Sequence, residues 1–149
     1  MPLIDITYPR EALSASVFET LADELLTVAV EAEGAPNTVD FRSISAVYAH
    51  EPTADSLYTT GVFARRPVFR VDITCHAFLL TTQREKDLIK KTTRAVLTAA
   101  GHGDEAADSV WVLIHDVPPH HWGVGGQTGT DEDIRRVITD AWSTTGDSR

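Results

Sequence analysis

The residue with the most chemical promise stands second in the chain. Pro2 heads the short apolar run Leu3-Ile4-Asp5-Ile6-Thr7. A methionine followed by a small residue is normally removed after synthesis, and its removal would leave Pro2 with a free secondary amine. At the end of a strand held inside a protein, such an amine sheds much of its hydration. Desolvation disfavours its charged form and lowers its pKa. A base poised near neutral pH suits proton transfer to and from carbon. Retention of Met1 would leave the proline nitrogen blocked as an amide and end this chemistry.

Other ionisable residues are less definite. Arg65, Arg66 and Arg70 cluster around a second proline, Pro67, and either supply positive potential to an anion or pair with surface acids. Pro67 lies inside the chain and its nitrogen is an amide, so each chain is expected to hold one working site. His115-Asp116 and His120-His121 invite a metal reading. Neighbouring strand residues face opposite ways and Pro118-Pro119 is a rigid link, so no spaced zinc motif results. Gly123-Val124-Gly125-Gly126 lacks the strand-loop-helix setting of a phosphate cradle. No metal and no cofactor is expected.

The totals narrow the class. A chain of 149 residues with a net charge of −9 can bury a substantial core, and it lacks the basic face that nucleic acid or an anionic membrane requires. An anionic substrate would need a local cluster of positive groups against that field. Cys75 is the single cysteine, which excludes an intrachain disulfide and makes a reducing, cytoplasmic setting the expectation. No run of 18 or more apolar residues suggests a membrane span.

The elements that would position Pro2 are written twice. Pro2-Leu3-Ile4-Asp5-Ile6-Thr7 returns as Pro67-Val68-Phe69-Arg70-Val71-Asp72-Ile73-Thr74. Each copy precedes a helical pattern: Val17, Leu21, Leu25, Val28, Ala29 and Ala32 in the first, then Leu88, Ile89, Ala95, Val96 and Ala99 in the second. A shift of about 67 residues lays Leu21 on Leu88 and Ala29 on Val96, the mark of a structural repeat. Gly34-Ala35-Pro36 and Gly101-His102-Gly103 stop the helices, and the strand-like runs Phe41–Tyr48 and Val110–His115 follow. The expected fold is α+β: a tandem β-α-β repeat with a four-stranded sheet and two helices on one face. Repeat 1 covers about residues 2–50, a linker 51–66 carries a short hairpin at Leu57–Thr60, repeat 2 covers about 67–126, and a helical extension fills 127–149. Thr130 is the expected N-cap of that last helix, whose apolar stripe is Ile134, Val137, Ile138 and Ala141.

Pro2, the doubled β-α-β pattern and the closing run Pro118-Pro119-His120-His121-Trp122-Gly123-Val124-Gly125-Gly126 together resemble the tautomerase superfamily. The second half resembles 4-oxalocrotonate tautomerase, whose strand runs into an aromatic-Gly-x-Gly-Gly hairpin. The fused length is similar to that of cis-3-chloroacrylic acid dehalogenase and malonate semialdehyde decarboxylase. The resemblance implies a homotrimer with sheets facing a central axis, the amino-terminal proline as general base, and arginines holding a substrate carboxylate. Arg42 lies close to one such arginine and Arg10 near another. A guanidinium clamps a carboxylate through paired hydrogen bonds, though each residue also reads as a surface charge. Trp111 stands at the position equivalent to Arg42 in the second half. Asp40 matches an acidic partner of the proline in the decarboxylase, and also reads as a solvated loop acid. Trp122 matches the aromatic that walls the family pocket. The second-half arginines of the decarboxylase and dehalogenase are missing from Cys75–Thr82.

The reading these features favour is a tautomerase acting on a small 2-oxo or enol carboxylate. Pro2 is its base, Arg42 and Arg10 its anion clamp, and Trp122 its wall. The alternatives are a dehalogenase, hydratase or decarboxylase on a three-carbon acid, with Pro2 as acid and Asp40 as partner, and a non-catalytic trimeric binding protein.

Overall fold

A computed structural model describes residues 1–53, 56–58, 60 and 68–146. Strand β1 (Leu3–Thr7) alternates cleanly, with Ile4 and Ile6 fully buried and Leu3, Asp5 and Thr7 on the other face. Helix α1 (Ala15–Ala32) begins where Ser14 Oγ accepts the Val17 N–H at 3.3 Å, and buries Leu21, Leu25, Val28 and Ala29. It ends at Gly34, whose φ of +76° is the left-handed conformation glycine adopts without strain. The second half repeats each step. Strand β3 (Phe69–His76) leads to helix α3 (Thr82–Ala99), capped by Thr81 and burying Leu88, Thr92, Ala95 and Val96. Ile89, expected on that apolar face, is 40% exposed.

Strands β2 (Ala46–His50) and β4 (Val110–Val117) close the two halves. The sheet order is β2-β1-β3-β4. The outer pairs β1–β2 and β3–β4 are parallel, as helical crossovers require, and β1 meets β3 antiparallel with Asp5 opposite Asp72. Ile4, Ile6, Phe69, Val71 and Ile73 pack on Leu21, Leu25, Leu88 and Val96 in one core. Each such side chain contributes roughly 1.5–3 kcal/mol. This is the expected α+β architecture.

The other sheet face is polar along its middle. His50 Nε2 lies 2.6 Å from Asp5 Oδ1, His115 Nε2 lies 2.7 Å from Asp72 Oδ1, and Arg70 pairs with Asp72 at 2.8 Å. Burial alone would push the Asp72 carboxyl up, but Arg70 and His115 together hold it below the usual carboxylate range. Tyr48, Trp111 and Leu113 flank this strip and are exposed.

Two expectations change. Phe41–Tyr48 is not one strand: residues Val39–Ser43 form a short helix, α2, and the strand starts only at Ala46. Thr38 caps α2 by accepting the Phe41 N–H at 3.2 Å, and Asp40 suits its first turn. Trp111 is also not the counterpart of Arg42. It lies opposite Arg70 as Ala46 lies opposite Leu3, so Ala46 is its equivalent. The hairpin expected at Leu57–Thr60 falls partly outside the described residues, and Leu57, Tyr58 and Thr60 belong to no strand.

After β4 the chain makes a small hairpin, β5 (Gly123–Val124) and β6 (Gln127–Thr128). Helix α4 (Asp131–Gly146) follows. Thr130 caps it reciprocally: its Oγ1 accepts the Asp133 N–H at 3.2 Å, and its own N–H donates to Asp133 Oδ2 at 3.0 Å. Among the described residues no helix is long and apolar enough to cross a membrane.

Candidate active site

The start of β1 and the ends of β3 and β4 lie at one end of the sheet, because Leu3 pairs with Thr74 and His76 with Val117. A cavity of about 270 Å³ opens there. Met1 and His76 border it from the sheet, and Phe41 from α2. Pro119, Trp122 and Val124 border it from the hairpin segment, and Ile134, Val137 and Ile138 from α4. The lining is largely apolar, as a pocket that must exclude water requires.

Pro2 is buried just behind Met1, and its carbonyl accepts the Ala46 N–H at 3.3 Å, which anchors the chain start between β2 and β3. The Met1 ammonium pairs with Glu33 Oε2 at the C-terminal end of α1. Glu33 is 3% exposed, and its Oε1 has no hydrogen-bond partner among the described residues. Burial raises the Glu33 pKa, an effect the adjacent amino-terminal charge offsets only in part.

His76 is the cavity's inner polar group. It is 1% exposed, and neither ring nitrogen has a hydrogen-bond partner among the described residues. Its ring packs between Trp122, 4.9 Å away, and Phe78, 6.1 Å away. Burial and then the amino-terminal charge lower its pKa, with Asp131 opposing, so the imidazole is neutral at neutral pH. A neutral imidazole can both donate and accept a proton. Next to it Cys75 is buried and its thiol is pushed up to about 12, first by burial and then by Glu33 and Asp116.

Helix α4 forms the outer wall. Ile138 and Ala141 pack against Val30, Ala35 and Phe41, and Trp142 Nε1 donates to the Gly34 carbonyl at 2.9 Å. The Arg135 guanidinium lies 4.6 Å from the Phe78 ring centre.

Of the residues singled out in the sequence, Trp122 borders this cavity, and Pro2 is buried next to Met1, which borders it. Three others do not line it. Arg42 sits on α2 with its guanidinium against α1, where it contacts Asp23, Thr27 Oγ1 at 3.2 Å and Asn37 Oδ1 at 3.5 Å. Asp40 is exposed on the same helix. Arg10 is exposed in the turn beyond the opposite end of β1. Arg65, Arg66 and Pro67 lie outside the described residues, and Arg70 serves the polar sheet face.

Glu33 and His76 escaped the sequence reading. Glu33 did leave a signal: an acid at a helix C-terminus opposes the helix dipole, and its match in the second repeat is Ala100. His76 left only its place at the end of a strand whose counterpart starts the chain's chemistry.

The tautomerase enzyme family matches residues 70–132. Comparison with curated protein sequences finds no match. Among solved structures, the fold is similar to the Q0 fused 4-OT symmetric trimer, at 18% identity and a TM-score of 0.70, covering 89% of this chain and 98% of that one. The F6 fused 4-OT asymmetric trimer is 21% identical with a TM-score of 0.68, covering 85% and 94%. N1, a member of the cis-3-chloroacrylic acid dehalogenase family, is 16% identical with a TM-score of 0.67, covering 93% and 99%. The second half of the chain therefore matches the tautomerase enzyme family in sequence, and the chain as a whole shares the fold of the fused 4-OT structures.

Proposed function

We propose that this protein is a homotrimeric keto–enol tautomerase in which the Pro2 nitrogen, freed by loss of Met1, is the general base. The observation that carries this is the place of the chain start: Pro2 is buried, and Met1 itself borders an apolar cavity. Removing Met1 turns the proline nitrogen toward that space as a desolvated amine, the form that proton abstraction needs. In the ketonisation direction the nitrogen takes the enol O–H proton and the same proton returns to carbon. The new C–H bond uses the enol π electrons, and the oxygen keeps its own pair as the carbonyl. Neutral His76 is placed to donate a hydrogen bond to that oxygen. Trp122, Ile134 and Ile138 keep water away from the exchange.

The substrate class is a small 2-oxo or enol carboxylate with an apolar tail, since the cavity offers more apolar wall than polar grip. The reading assigns Arg42 and Arg10 no contact with a carboxylate in their own protomer. A second reading draws on Glu33, whose carboxylate pairs with the Met1 ammonium next to Pro2 and would, once Met1 is lost, serve as the acidic partner expected of Asp40. A carboxylate there favours a protonated nitrogen, and a protonated Pro2 would serve as the acid of a hydratase or dehalogenase.

Intact-mass measurement and an ultraviolet assay of phenylenolpyruvate ketonisation test the proposal. The expected result is a chain lacking Met1, with a rate that falls by about 10²-fold or more in Pro2→Ala. His76→Phe should lose about 10²-fold in kcat while folding normally. A retained Met1, or wild-type turnover in Pro2→Ala, overturns the assignment of the base.

A further inference from the structure

We infer that Glu33 is the positioning residue of the amino-terminal nitrogen: its buried carboxylate holds that nitrogen at the inner wall of the cavity and governs how readily it is protonated. The inference rests on the proposal that Pro2 is the base, and it adds the group that tunes that base.

Geometry is the first support. The chain's amino group pairs directly with Glu33 Oε2, and the Glu33 side chain is 1% exposed. Loss of Met1 moves the terminal nitrogen by one residue, a Cα step of about 3.8 Å, and the Glu33 side chain has the torsions to follow it. Glu33 does not border the cavity itself, so it acts through the nitrogen and not on the substrate.

The second support comes from the repeat. Ser14 and Thr81 cap α1 and α3, and Glu33 and Ala100 close them in matching positions. The two helices therefore differ at their final cap by a buried acid in one half and a methyl group in the other. Only the first half brings a chain terminus to its helix end, since Pro67 is internal. Helix stability does not explain the acid, because a negative charge at a helix C-terminus is unfavourable. Core packing does not explain it either: Oε1 lacks a partner among the described residues, and an unpaired buried carboxylate oxygen is costly. A partner for a terminal amine, met through Oε2, accounts for an acid at this place.

Other charges bear on this corner and set the background against which Glu33 acts. From β3 come His76, kept neutral by its burial, and Cys75, kept as a thiol. Asp116 of β4 lies 3.9 Å from Cys75 Sγ, Glu85 of α3 acts on the same thiol, and Asp131 of α4 acts on His76. Glu33 is the one of these that touches the amino group.

The experiment is amino-terminal labelling with formaldehyde and cyanoborohydride across a pH series, read on the terminal peptide by mass, which needs no substrate. Neutral amine reacts, so the midpoint reports the nitrogen's protonation. Glu33→Gln removes the negative charge with little change of shape, and its midpoint should fall by about one pH unit or more. The acid limb of phenylenolpyruvate turnover should move by the same amount. Glu33→Asp keeps the charge and should return the midpoint most of the way, which also covers the case in which the Gln variant folds poorly. A merely structural Glu33 would lower activity at every pH without moving either midpoint, and that result overturns the inference. Failure of the underlying reading looks different: the labelled peptide begins with Met1, or Pro2→Ala keeps full activity while the Glu33 shift is still seen.

Discussion

Helix α4 is held to the rest of the protein by few contacts, and replacing Ile138 should loosen it without unfolding the core. Ile138 is half-buried against Val30, Ala35 and Phe41, a cluster separate from the main core between sheet and helices. Truncating a fully buried isoleucine to alanine costs 2–5 kcal/mol, so a half-buried one belongs at the low end, about 2 kcal/mol. Its other ties include Ala141 on the same cluster, the Trp142 hydrogen bond to Gly34, worth about 1 kcal/mol, and the Arg135–Phe78 contact, worth about 0.5–1 kcal/mol at an exposed site. Losing about 2 kcal/mol from so short a sum raises the open population of α4 by a factor of about 30. Hydrogen exchange read by mass spectrometry on Ile138→Ala should show peptides of α4 exchanging about 30-fold faster, with those of α1 and α3 unchanged. The same variant should raise KM for a substrate with an apolar tail, because Ile138 is part of the cavity wall. Equal acceleration in α1, α3 and α4 would show that α4 opens only with the whole fold. An unchanged α4 would show that Ile138 contributes nothing to its docking. Either result refutes the separate-cluster argument.

Two further outcomes follow from side chains away from the reacting nitrogen. Cys75, buried and with its thiol pushed up to about 12, should resist iodoacetamide at pH 8 in the native protein and react once denaturant is added. Native labelling at the denatured rate would contradict its placement. Arg42→Ala should cost no more than about 1 kcal/mol of stability, since its partner Asp23 is largely exposed. The variant should leave KM for phenylenolpyruvate within about twofold, and a tenfold rise would show that the guanidinium reaches a carboxylate in a neighbouring subunit's cavity.

The strands and long helices were legible because their patterns are strong and doubled. Asp-Ile-Thr recurs in β1 and β3 with the same faces buried, and both long helices show apolar residues at three- and four-residue steps ended by glycine. The last helix could be placed from Thr130 and the acids after it, and the structure shows that cap. Its role as a cavity wall could not be read, since an apolar stripe does not say what it covers. The stretch Phe41-Arg42-Ser43 looked like a strand because Phe41 and Ile44 are apolar and no glycine interrupts it. A single capping threonine decides otherwise, and with it Arg42 turns toward α1. Trp122 was readable from its Gly-rich hairpin. His76 was not, because it gains meaning only when β1 begins beside the end of β3, and Glu33 showed only as an acid ill-suited to a helix C-terminus, with no hint of its amino-group partner.

The meeting of β1 and β3 sets Asp5 across from Asp72, the same residue of the same motif in each half. A duplicated unit joined to its copy about a local two-fold always sets such a position against itself. Like charges there repel in both copies at once, and neither half can relieve the clash by borrowing from the other. Here each aspartate has its own histidine from the outer strand, His50 for Asp5 and His115 for Asp72. Divergence of the halves is therefore constrained along this seam, where a change in one aspartate alters what its twin requires. Away from the seam the copies are free to part, as Glu33 and Ala100 have done.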